Sequence, residues 1–389
     1  MTHVHSMIRL VFSDEKSLVS SRAYTILSLG DNSLIEEMLR DYKFRDFALE
    51  ILSNPQNPPF IMGRLAGLSL SALLSMPETA SESCGFIYHL LKHCENPSVF
   101  NFFETLCGDN PKATPSQKWL LDMGFVEYII REIQTTNFNY VSNLSNTYLD
   151  PVYDKALCLY ELIALCAKNP ILSPSFKTSS IVDVIKRDFS RSPDFLKTAR
   201  WAAINSITCK DTAVQLLPLI QSAISTVTEQ FEHLKSYRVD ALNFLTQMIQ
   251  LAPMTADILL HSSVLQSLSG LIIQFPNSTI LHGAFVDFVS IGLQLEEFAI
   301  KMVGVYTPLF IDQACERYNR VLAPTLLYLI EKFMEASDKK SSIRRVLTEI
   351  PELKQFINHD LKEYKKIIDS DYGGPRATGI FGALKGFFD

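Results

Sequence analysis

The most chemically suggestive stretch of the sequence places two cysteines and two histidines within eleven residues, at Cys84, His89, His93 and Cys94. Thiolates and imidazoles are the ligands that zinc prefers in proteins. His89 and His93 are four residues apart, so both would face one metal ion if they lay on one α-helix. Cys84 and Cys94 would then point to other sides of that helix. We therefore expect no metal site here, and a helix that is partly core and partly surface.

A single histidine, His282, lies in the apolar stretch 270–289, just after a Phe-Pro-Asn break. Catalysis by an imidazole needs an acid, base or nucleophile beside it, and the local sequence offers none. A helix starting near Ser278 would align His282 with Val286 and Val289. Such a helix is apolar on nearly every side, which indicates burial. We predict a structural histidine that bonds a backbone carbonyl where two helices meet.

Other motifs of catalysis or phosphate binding are not found in the sequence. The glycines of "YGGP" and "GIFGALKG" lack the G-x-x-x-x-G-K-[ST] order and a preceding strand. The G-x-S-x-G pattern of serine hydrolases is also missing. Acidic neighbours such as Glu36 and Glu37 would point to different sides of a helix and be solvated. The prediction is a protein without catalytic residues, bound metal or cofactor, and not an enzyme.

The amino-acid composition excludes some classes of protein and some classes of binding partner. The 389 residues are 47% hydrophobic and 20% charged, which allows a large buried core. The net charge of −6, without any strongly basic segment, argues against nucleic acid as a partner. No apolar run approaches the roughly 20 residues that cross a bilayer. Seven cysteines without a C-x-x-C pair indicate reduced thiols. We expect a soluble cytoplasmic protein with no membrane partner, and the nucleus as the alternative location.

Apolar residues recur three and four positions apart along most of the chain, which is typical of amphipathic or buried helices. Short breaks rich in Pro, Asn and Ser separate these stretches, and no Asn-Gly or Asp-Gly dipeptide indicates a hairpin. The pattern predicts an all-α fold of about 17–20 helices. Three of its core stripes consist of Ala156, Leu159, Ile163 and Cys166; Leu242, Leu245, Met248 and Ile249; and Leu326, Leu329, Ile330 and Phe333.

The arrangement of these helices predicts an α-solenoid. No strict repeat motif recurs, but helix pairs of roughly 40 residues fit degenerate armadillo or HEAT repeats. We predict one helical-repeat domain over 1–372, with a polar inter-repeat loop at 134–151. The last segment, 373–389, contains five glycines and is predicted to leave the repeats as a Gly/Phe-rich tail.

Four short sequence blocks occur along the chain in the same order as in a known protein family. Block 29–52, "LGDNSLIEEMLRDYKFRDFALEIL", pairs an acidic, leucine-rich helix with a Lys-aromatic helix, and block 117–133 contains Trp-Leu. Phe-Pro-Asn at 275–277 leads into Leu-His at 281–282, and "FINHDLKEYKKIIDSDYGGP" ends on Gly-Gly-Pro. Together the blocks resemble the SAPS-domain family, the regulatory subunits of protein phosphatase 6-type Ser/Thr phosphatases. Arg45 stands where that family usually has Pro.

The resemblance implies a subunit that binds a Ser/Thr protein phosphatase catalytic subunit, leaves room for a further scaffold subunit and directs the enzyme to substrates. Polar and aromatic residues beside the matched motifs are the candidates for contact with the partner, since Arg and Tyr are common interface anchors. These candidates are Trp119, Asp122, Tyr372, Gly373, Gly374 and Arg376. The alternatives are a core position for Trp119 and a plain chain terminus at 371–376. For the whole protein, the alternative is an armadillo-type adaptor with no phosphatase link.

Overall fold

A computed structural model describes residues 2–13, 17–54, 57–136, 151–187, 192–230, 232–315 and 321–362. Helices make up 82% of the structure, and none of the described residues form a strand. The predicted all-α fold is therefore confirmed. The predicted tail 373–389, the candidates Tyr372, Gly373, Gly374 and Arg376, and most of the polar segment 134–151 lie outside the described residues.

The chain divides into two compact units, Met1–Ser222 with Lys235–Leu251, and Ala223–Leu234 with Ala252–Asp389. The prediction of one domain over 1–372 stays a prediction. The α-helices of the first unit are α1 (Thr2–Val11), α2 (Leu18–Ser28), α3 (Asn32–Arg40), α4 (Tyr42–Ser53), α5 (Pro59–Ser75), α6 (Pro77–Ser83), α7 (Pro97–Cys107), α8 (Thr114–Asp122), α9 (Phe125–Thr135), α10 (Pro151–Cys166), α11 (Ser173–Phe176), α12 (Ser179–Ile185), α13 (Asp194–Ile207), α14 (Lys210–Leu216) and α16 (Ser236–Leu251).

Short helices of other types complete the first unit, and the second unit is again helical. The first unit has 3₁₀ helices at Gly85–His93, Pro111–Ala113 and Leu217–Leu219. Helix α15 (Ile220–Thr228) begins in the first unit and ends in the second. The second unit contains α17 (Met254–Leu260), α18 (Val264–Gln274), α19 (Thr279–Gly292), α20 (Glu296–Cys315), α21 (Ala323–Lys339), α22 (Ser341–Thr348), α23 (Pro351–Phe356) and a π-helical turn at Ile357–Leu361.

Six helices of the first unit pack in series, each against the next: α2, α5, α7, α10, α13 and α16. We call this series row A. Its members begin at residues 18, 59, 97, 151, 194 and 236, so successive starts are 41, 38, 54, 43 and 42 residues apart. The longest interval lies between α7 and α10 and contains residues 137–150, which are outside the described residues. The spacing confirms the predicted degenerate repeat of roughly 40 residues.

A second series in the first unit, row B, consists of α4, the 3₁₀ helix Gly85–His93, α9, α12 and α14, again each against the next. In repeat proteins every element is stabilised by its neighbours in the series. Hydroxyl groups add links between helices one repeat apart. Ser71 Oγ donates to the carbonyl of Ser28, and Ser116 Oγ donates to the carbonyl of Leu73. Packing in the first unit is thus serial, as in solenoids.

The helix boundaries follow from the polar breaks seen in the sequence. Asp41 accepts the Lys43 N–H and caps α4 at the point where α3 ends, which is a common role for aspartate. Proline occupies the first position of α5, α6 and α7, where its missing N–H costs no hydrogen bond. Gly124 joins α8 to α9 with a φ of 77°, a conformation that side chains with a Cβ disfavour.

Burial confirms the predicted core stripes. All twelve residues of the stripes on α10, α16 and α21 are at most 1% exposed. In the second unit, aromatic rings continue the core from Phe285 to Tyr306, Phe310 and Phe333, with successive centroids 5.2, 5.3 and 6.1 Å apart. Within the described residues no single helix combines the length and hydropathy needed to cross a bilayer. Helices α17 and α18, bent by 75° at the break between them, meet that requirement only as a pair.

Candidate interaction surface

The two candidate residues that the structure describes lie near the end of α8. Trp119 is half-buried, while Asp122, the last residue of the helix, is exposed. Leu120, the neighbour of Trp119 in the sequence motif, is 1% exposed and belongs to the core. Trp119 therefore contributes to the core and to the surface at once, which differs from a purely core position. The structure brings a half-buried tryptophan and an exposed carboxylate to one helix end.

Buried polar contacts fix the position of α8. The Gln117 side-chain amide donates to the carbonyls of Leu106 and Gly108, each at 2.9 Å. Gln117 is 1% exposed, and buried hydrogen bonds of this kind are costly to break. Because these carbonyls belong to the end of α7 and the residue after it, α8 is attached to row A. Its exposed end is held on a rigid support.

A second surface feature, absent from our sequence-based predictions, lies where two members of row B meet. Tyr88 of the 3₁₀ helix stacks on Tyr128 of α9, with ring centroids 4.1 Å apart and an interplanar angle of 30°. His89 extends the series on one side, 4.2 Å from Tyr88, and the Arg131 guanidinium lies 4.3 Å from the Tyr128 ring. We call these four residues the Tyr88–Tyr128 stack. All three rings are half-buried and Arg131 is exposed.

Neighbouring charges set the electrostatics of the Tyr88–Tyr128 stack. Burial lowers the pKa of His89, and the positive charges of Lys92 and Arg131 lower it further against the opposing effect of Glu132. A hydrogen bond with the Tyr128 hydroxyl raises the pKa of Tyr88. Glu132 itself is bound by Lys155, with 2.6 Å between Nζ and Oε2. At neutral pH the imidazole is therefore neutral, and the net positive charge comes from Lys92 and Arg131.

One signal in the sequence could have indicated this stack. Tyr88 and Tyr128 are 40 residues apart, which is one repeat of row A. Equivalent positions of successive repeats become neighbours when the repeats stack. A search for identical surface residues at that spacing would have paired the two tyrosines. The weak repeat signature of this sequence concealed the relationship.

The Cys/His cluster does not converge. The segment Gly85–His93 is a 3₁₀ helix, and with three residues per turn positions four apart diverge by roughly 120°. His89 stacks on Tyr88, while the Cys94 thiol points to the carbonyl of Lys155, 3.6 Å away. In the described part of the chain, no group of three or more His, Cys, Asp or Glu side chains could hold a metal ion. The expected mixture of core and surface positions is found here.

The buried cysteines form thiol pairs instead. Cys94 hydrogen-bonds with Cys158 of α10, and this bond together with burial raises the pKa of Cys94 well above its usual value. Burial and a hydrogen bond with Cys107 raise the pKa of Cys166 in the same way. Cys84, Cys94, Cys107, Cys158, Cys166 and Cys209 are free thiols. Their high pKa values keep the Cys94 and Cys166 thiols protonated, so both act as packing groups between α10 and the segments before it.

His282 lies where the sequence analysis placed it, on the first turn of α19 after the Phe-Pro-Asn break. Ser278 caps this helix, and the Thr325 hydroxyl lies 3.4 Å from His282 Nδ1. Burial lowers the pKa of His282, while the nearby backbone of Phe275 opposes that shift. With 8% of its surface exposed, His282 contacts the end of the preceding helix rather than a ligand site. Its environment is that of a structural residue.

A surface groove of about 760 Å³ lies beside α1, α3 and α4. His5 Nδ1 is 3.1 Å from Asp41 Oδ2 at its wall, and the exposed ring of Tyr42 lies at its edge. Glu36 and Arg40 of the same wall form an ion pair at 2.5 Å. The lining therefore combines both signs of charge with an aromatic ring. Most of its lining residues belong to block 29–52, and His5 and Ser6 come from α1.

Comparisons with known proteins identify a similar solved structure but no protein family to which the chain belongs. No protein-family model matches the chain, and no curated protein sequence matches it. Among solved structures, the chain is similar to an engineered protein from the Northeast Structural Genomics Consortium, with 12% sequence identity and a TM-score of 0.39. That alignment covers 95% of this chain and 100% of the engineered one.

Proposed function

We propose that this protein is a non-catalytic regulatory subunit that binds a Ser/Thr protein phosphatase catalytic subunit and directs it to substrates. The metal ions and catalytic side chains would belong to the partner. The proposal starts from the resemblance of four ordered sequence blocks to the SAPS-domain family. It is supported by an architecture of serially packed helices, which presents extended surfaces to folded partners.

The observation that supports the proposal most is the placement of the three blocks within the described residues. Each covers a joint between two consecutive helices: Asp41 between α3 and α4, Gly124 between α8 and α9, and 275–278 between α18 and α19. Joints are where a repeat protein can vary its surface without disturbing its core. Surface residues that this chain has in common with the family at these connections are therefore candidates for contact with the same kind of partner.

Binding would regulate the phosphatase by position. A subunit that holds the enzyme and a phosphoprotein together raises the effective concentration of that substrate at the active site. The exposed end of α8, with Trp119 and Asp122, is our candidate for contact with the catalytic subunit. Trp119 is half-buried, and tryptophan is enriched among the residues that contribute most to binding at interfaces.

The test is affinity purification of the tagged chain from its own cells, with mass spectrometry and a phosphatase assay on the eluate. We expect a stoichiometric Ser/Thr phosphatase catalytic subunit, with activity sensitive to inhibitors of that class. Asp122→Lys should lower its recovery at least about tenfold, as expected for a lost interface charge. Lys118→Glu, a charge reversal at an exposed position of the same helix, is the matched control.

The adaptor alternative gives a different result in the same experiment. If the eluate holds other proteins and no phosphatase, the proposed function is wrong and a helical-repeat adaptor takes its place. If the phosphatase is present but Asp122→Lys and Trp119→Ala recover it equally well, the contact lies elsewhere on the chain. Melting curves of both variants would confirm that their folds are intact.

A further inference from the structure

We infer that the Tyr88–Tyr128 stack is a docking surface for an acidic segment of a partner protein, with carboxylates bound by Arg131 and Lys92. The inference rests on the stack alone and holds whether or not the partner is a phosphatase. Three features of the stack support it: its shape, the hydrogen-bond donors at its cationic end, and the balance of charge around it.

The stack is a rigid, partly exposed platform. Its two tyrosine rings belong to different repeats, and they are fixed to each other by a centroid distance of 4.1 Å and a hydroxyl hydrogen bond. Arg131 and His89 close the series at its two ends. Aromatic rings held in place before binding lose little entropy when a partner docks, which is why tyrosine is enriched at interfaces. This platform is therefore preorganised for contact.

The cationic end of the platform has unused hydrogen-bond donors. The central carbon of the Arg131 guanidinium lies over the Tyr128 ring, 4.3 Å from its centroid. A guanidinium carries five N–H donors in a planar fork, and that fork matches a carboxylate in a two-point contact. Within the described residues, neither Arg131 nor Lys92 forms an ion pair. Their donors are available to a ligand.

The local balance of charge selects an acidic ligand. The nearest carboxylate on α9, Glu132, is neutralised by Lys155. The carboxylate of Glu127 turns back towards Gly124, with its Oε2 3.4 Å from the place of a Cβ there, and so lies at the start of α9. Lys92 and Arg131 are close enough to lower the pKa of His89 together. A protein of net charge −6 thus presents two cations, without ion pairs in the described part of the chain, beside half-buried aromatic rings.

A carboxylate-rich peptide segment fits this surface better than nucleic acid. The two tyrosine rings stack on each other, Arg131 lies over Tyr128, and the tilted ring of His89 lies beside Tyr88, so little open ring face is left. Nucleic-acid bases need open ring faces and a series of cations along the backbone. An acidic segment needs only one or two carboxylates for the cations and an apolar side chain for the ring edges.

The test uses fluorescein-labelled peptides and the full chain in a fluorescence anisotropy titration. One peptide alternates glutamate with phenylalanine, and its twin has glutamine in place of each glutamate. We expect the glutamate peptide to bind at least about tenfold more tightly, and to lose most of its affinity at about 0.5 M NaCl, where charges are screened. Arg131→Glu and Lys92→Glu should each weaken binding about tenfold or more. Arg131→Lys keeps the charge without the planar fork and should lose less.

The matched control is Arg22→Glu, a charge reversal at an exposed position on α2, which should bind the peptide as the wild type does. Because Arg131 and Lys92 are both exposed, melting temperatures of their variants should not change. Equal binding of the two peptides, or full binding by both Arg131→Glu and Lys92→Glu, would overturn the inference. Tighter binding of a labelled single-stranded oligonucleotide than of the glutamate peptide would overturn it as well.

Discussion

Arg64 on α5 donates a 2.8 Å hydrogen bond from Nη1 to the carbonyl of Val11, fifty-three residues earlier in the chain. Its Nη2 lies 3.2 Å from the hydroxyls of Ser20 and Ser21, and its guanidinium lies 4.9 Å from the Phe60 ring centroid. Arg64 is 8% exposed, so these contacts replace water almost completely. One arginine therefore joins the end of α1 to the first two members of row A.

Loss of this arginine should destabilise the first unit. Arg64→Met keeps much of the side-chain volume but leaves the Val11 carbonyl and the serine hydroxyls without a donor. We expect the free energy of unfolding to fall by about 2–4 kcal/mol, measured by urea denaturation with far-UV circular dichroism. Arg22→Met, at an exposed arginine of α2, should change it by less than about 0.5 kcal/mol. Equal effects of the two substitutions would contradict the structural role of Arg64.

Asn169 is predicted to be a second stabilising residue in the first unit. Its side-chain oxygen accepts the N–H groups of Ile171 and Leu172, and its Nδ2 donates to the carbonyls of Cys107 and Gly108. Asn169→Ala should lower the free energy of unfolding by about 2–3 kcal/mol, since it leaves buried groups unpaired at the joint of two repeats.

Asn169→Asp tests separately the hydrogen bonds that the side chain accepts and those that it donates. The carboxylate can still accept the two N–H groups, but it has no N–H to donate to the carbonyls. If Asn169→Asp is as stable as the wild type in chemical denaturation, the link to Cys107 and Gly108 adds nothing to stability. We expect instead a loss comparable with that of the alanine variant, because a carboxylate would face two carbonyl oxygens.

His282 predicts a dependence of stability on pH. Burial holds its pKa in the folded state below the ordinary value of 6.5. Above that value both states are neutral, whereas below it the unfolded state takes up a proton first and unfolding becomes easier. The stability due to His282 is thus complete above about pH 6.5 and is lost as the pH falls towards the folded pKa. His282→Ala should cost about 1–3 kcal/mol at about pH 7.5, and less at about pH 5.5.

Other groups also titrate between these pH values, so the measurement compares two proteins at each pH. Thermal or urea denaturation of the wild type and of His282→Ala gives a difference that isolates this residue. A difference that grows as the pH falls would show that the imidazole is stabilised in its protonated form. That result would contradict the burial-lowered pKa of His282.

Asp240 on α16 should behave in the opposite sense. Burial raises the pKa of its carboxyl from 3.8 to about 6. The folded state therefore binds the proton more tightly than the unfolded state, and stability falls as the pH rises through 6. Asp240→Asn removes the charge and should raise the free energy of unfolding at about pH 7.5 by about 1 kcal/mol, a figure reduced for partial exposure. The gain should shrink as the pH falls from about 6 towards 4.

The control for Asp240 is Asp257→Asn, at an exposed carboxylate of α17, which should leave stability unchanged at both pH values. A gain in stability that persists at low pH would mean that the asparagine acts by packing or hydrogen bonding and that charge is not the cause.

The helical repeat could be predicted from local patterns because the stripes are set by the 3.6-residue period of the helix. Leu159 and Ile163 are buried as that period requires. The 3₁₀ helix Gly85–His93 could not be predicted in the same way, since its apolar residues also fit an α-helix. That one difference in helix type turns His89 away from His93 and towards Tyr88.

Only part of the candidate surface can be predicted from the sequence. Trp119 and Asp122 were identified by a motif, and a motif does not state how deeply a side chain is buried. Trp119 proves to be half-buried, which depends on how α8 lies against its neighbours. The partner of Tyr88 is 40 residues away, and nothing in a local window indicates which residue of the next repeat it meets.

By itself the sequence determined the all-α class, the repeat of roughly 40 residues and the buried stripes, because each arises from short-range periodicity and from helix-ending residues. Only the tertiary structure decided which polar groups meet across repeats: Arg64 with Val11, Asn169 with Cys107, and Tyr88 with Tyr128. Those pairs depend on the exact rotation and offset between stacked helices. Rotation and offset result from the packing of many side chains at once, which no single stretch of sequence encodes.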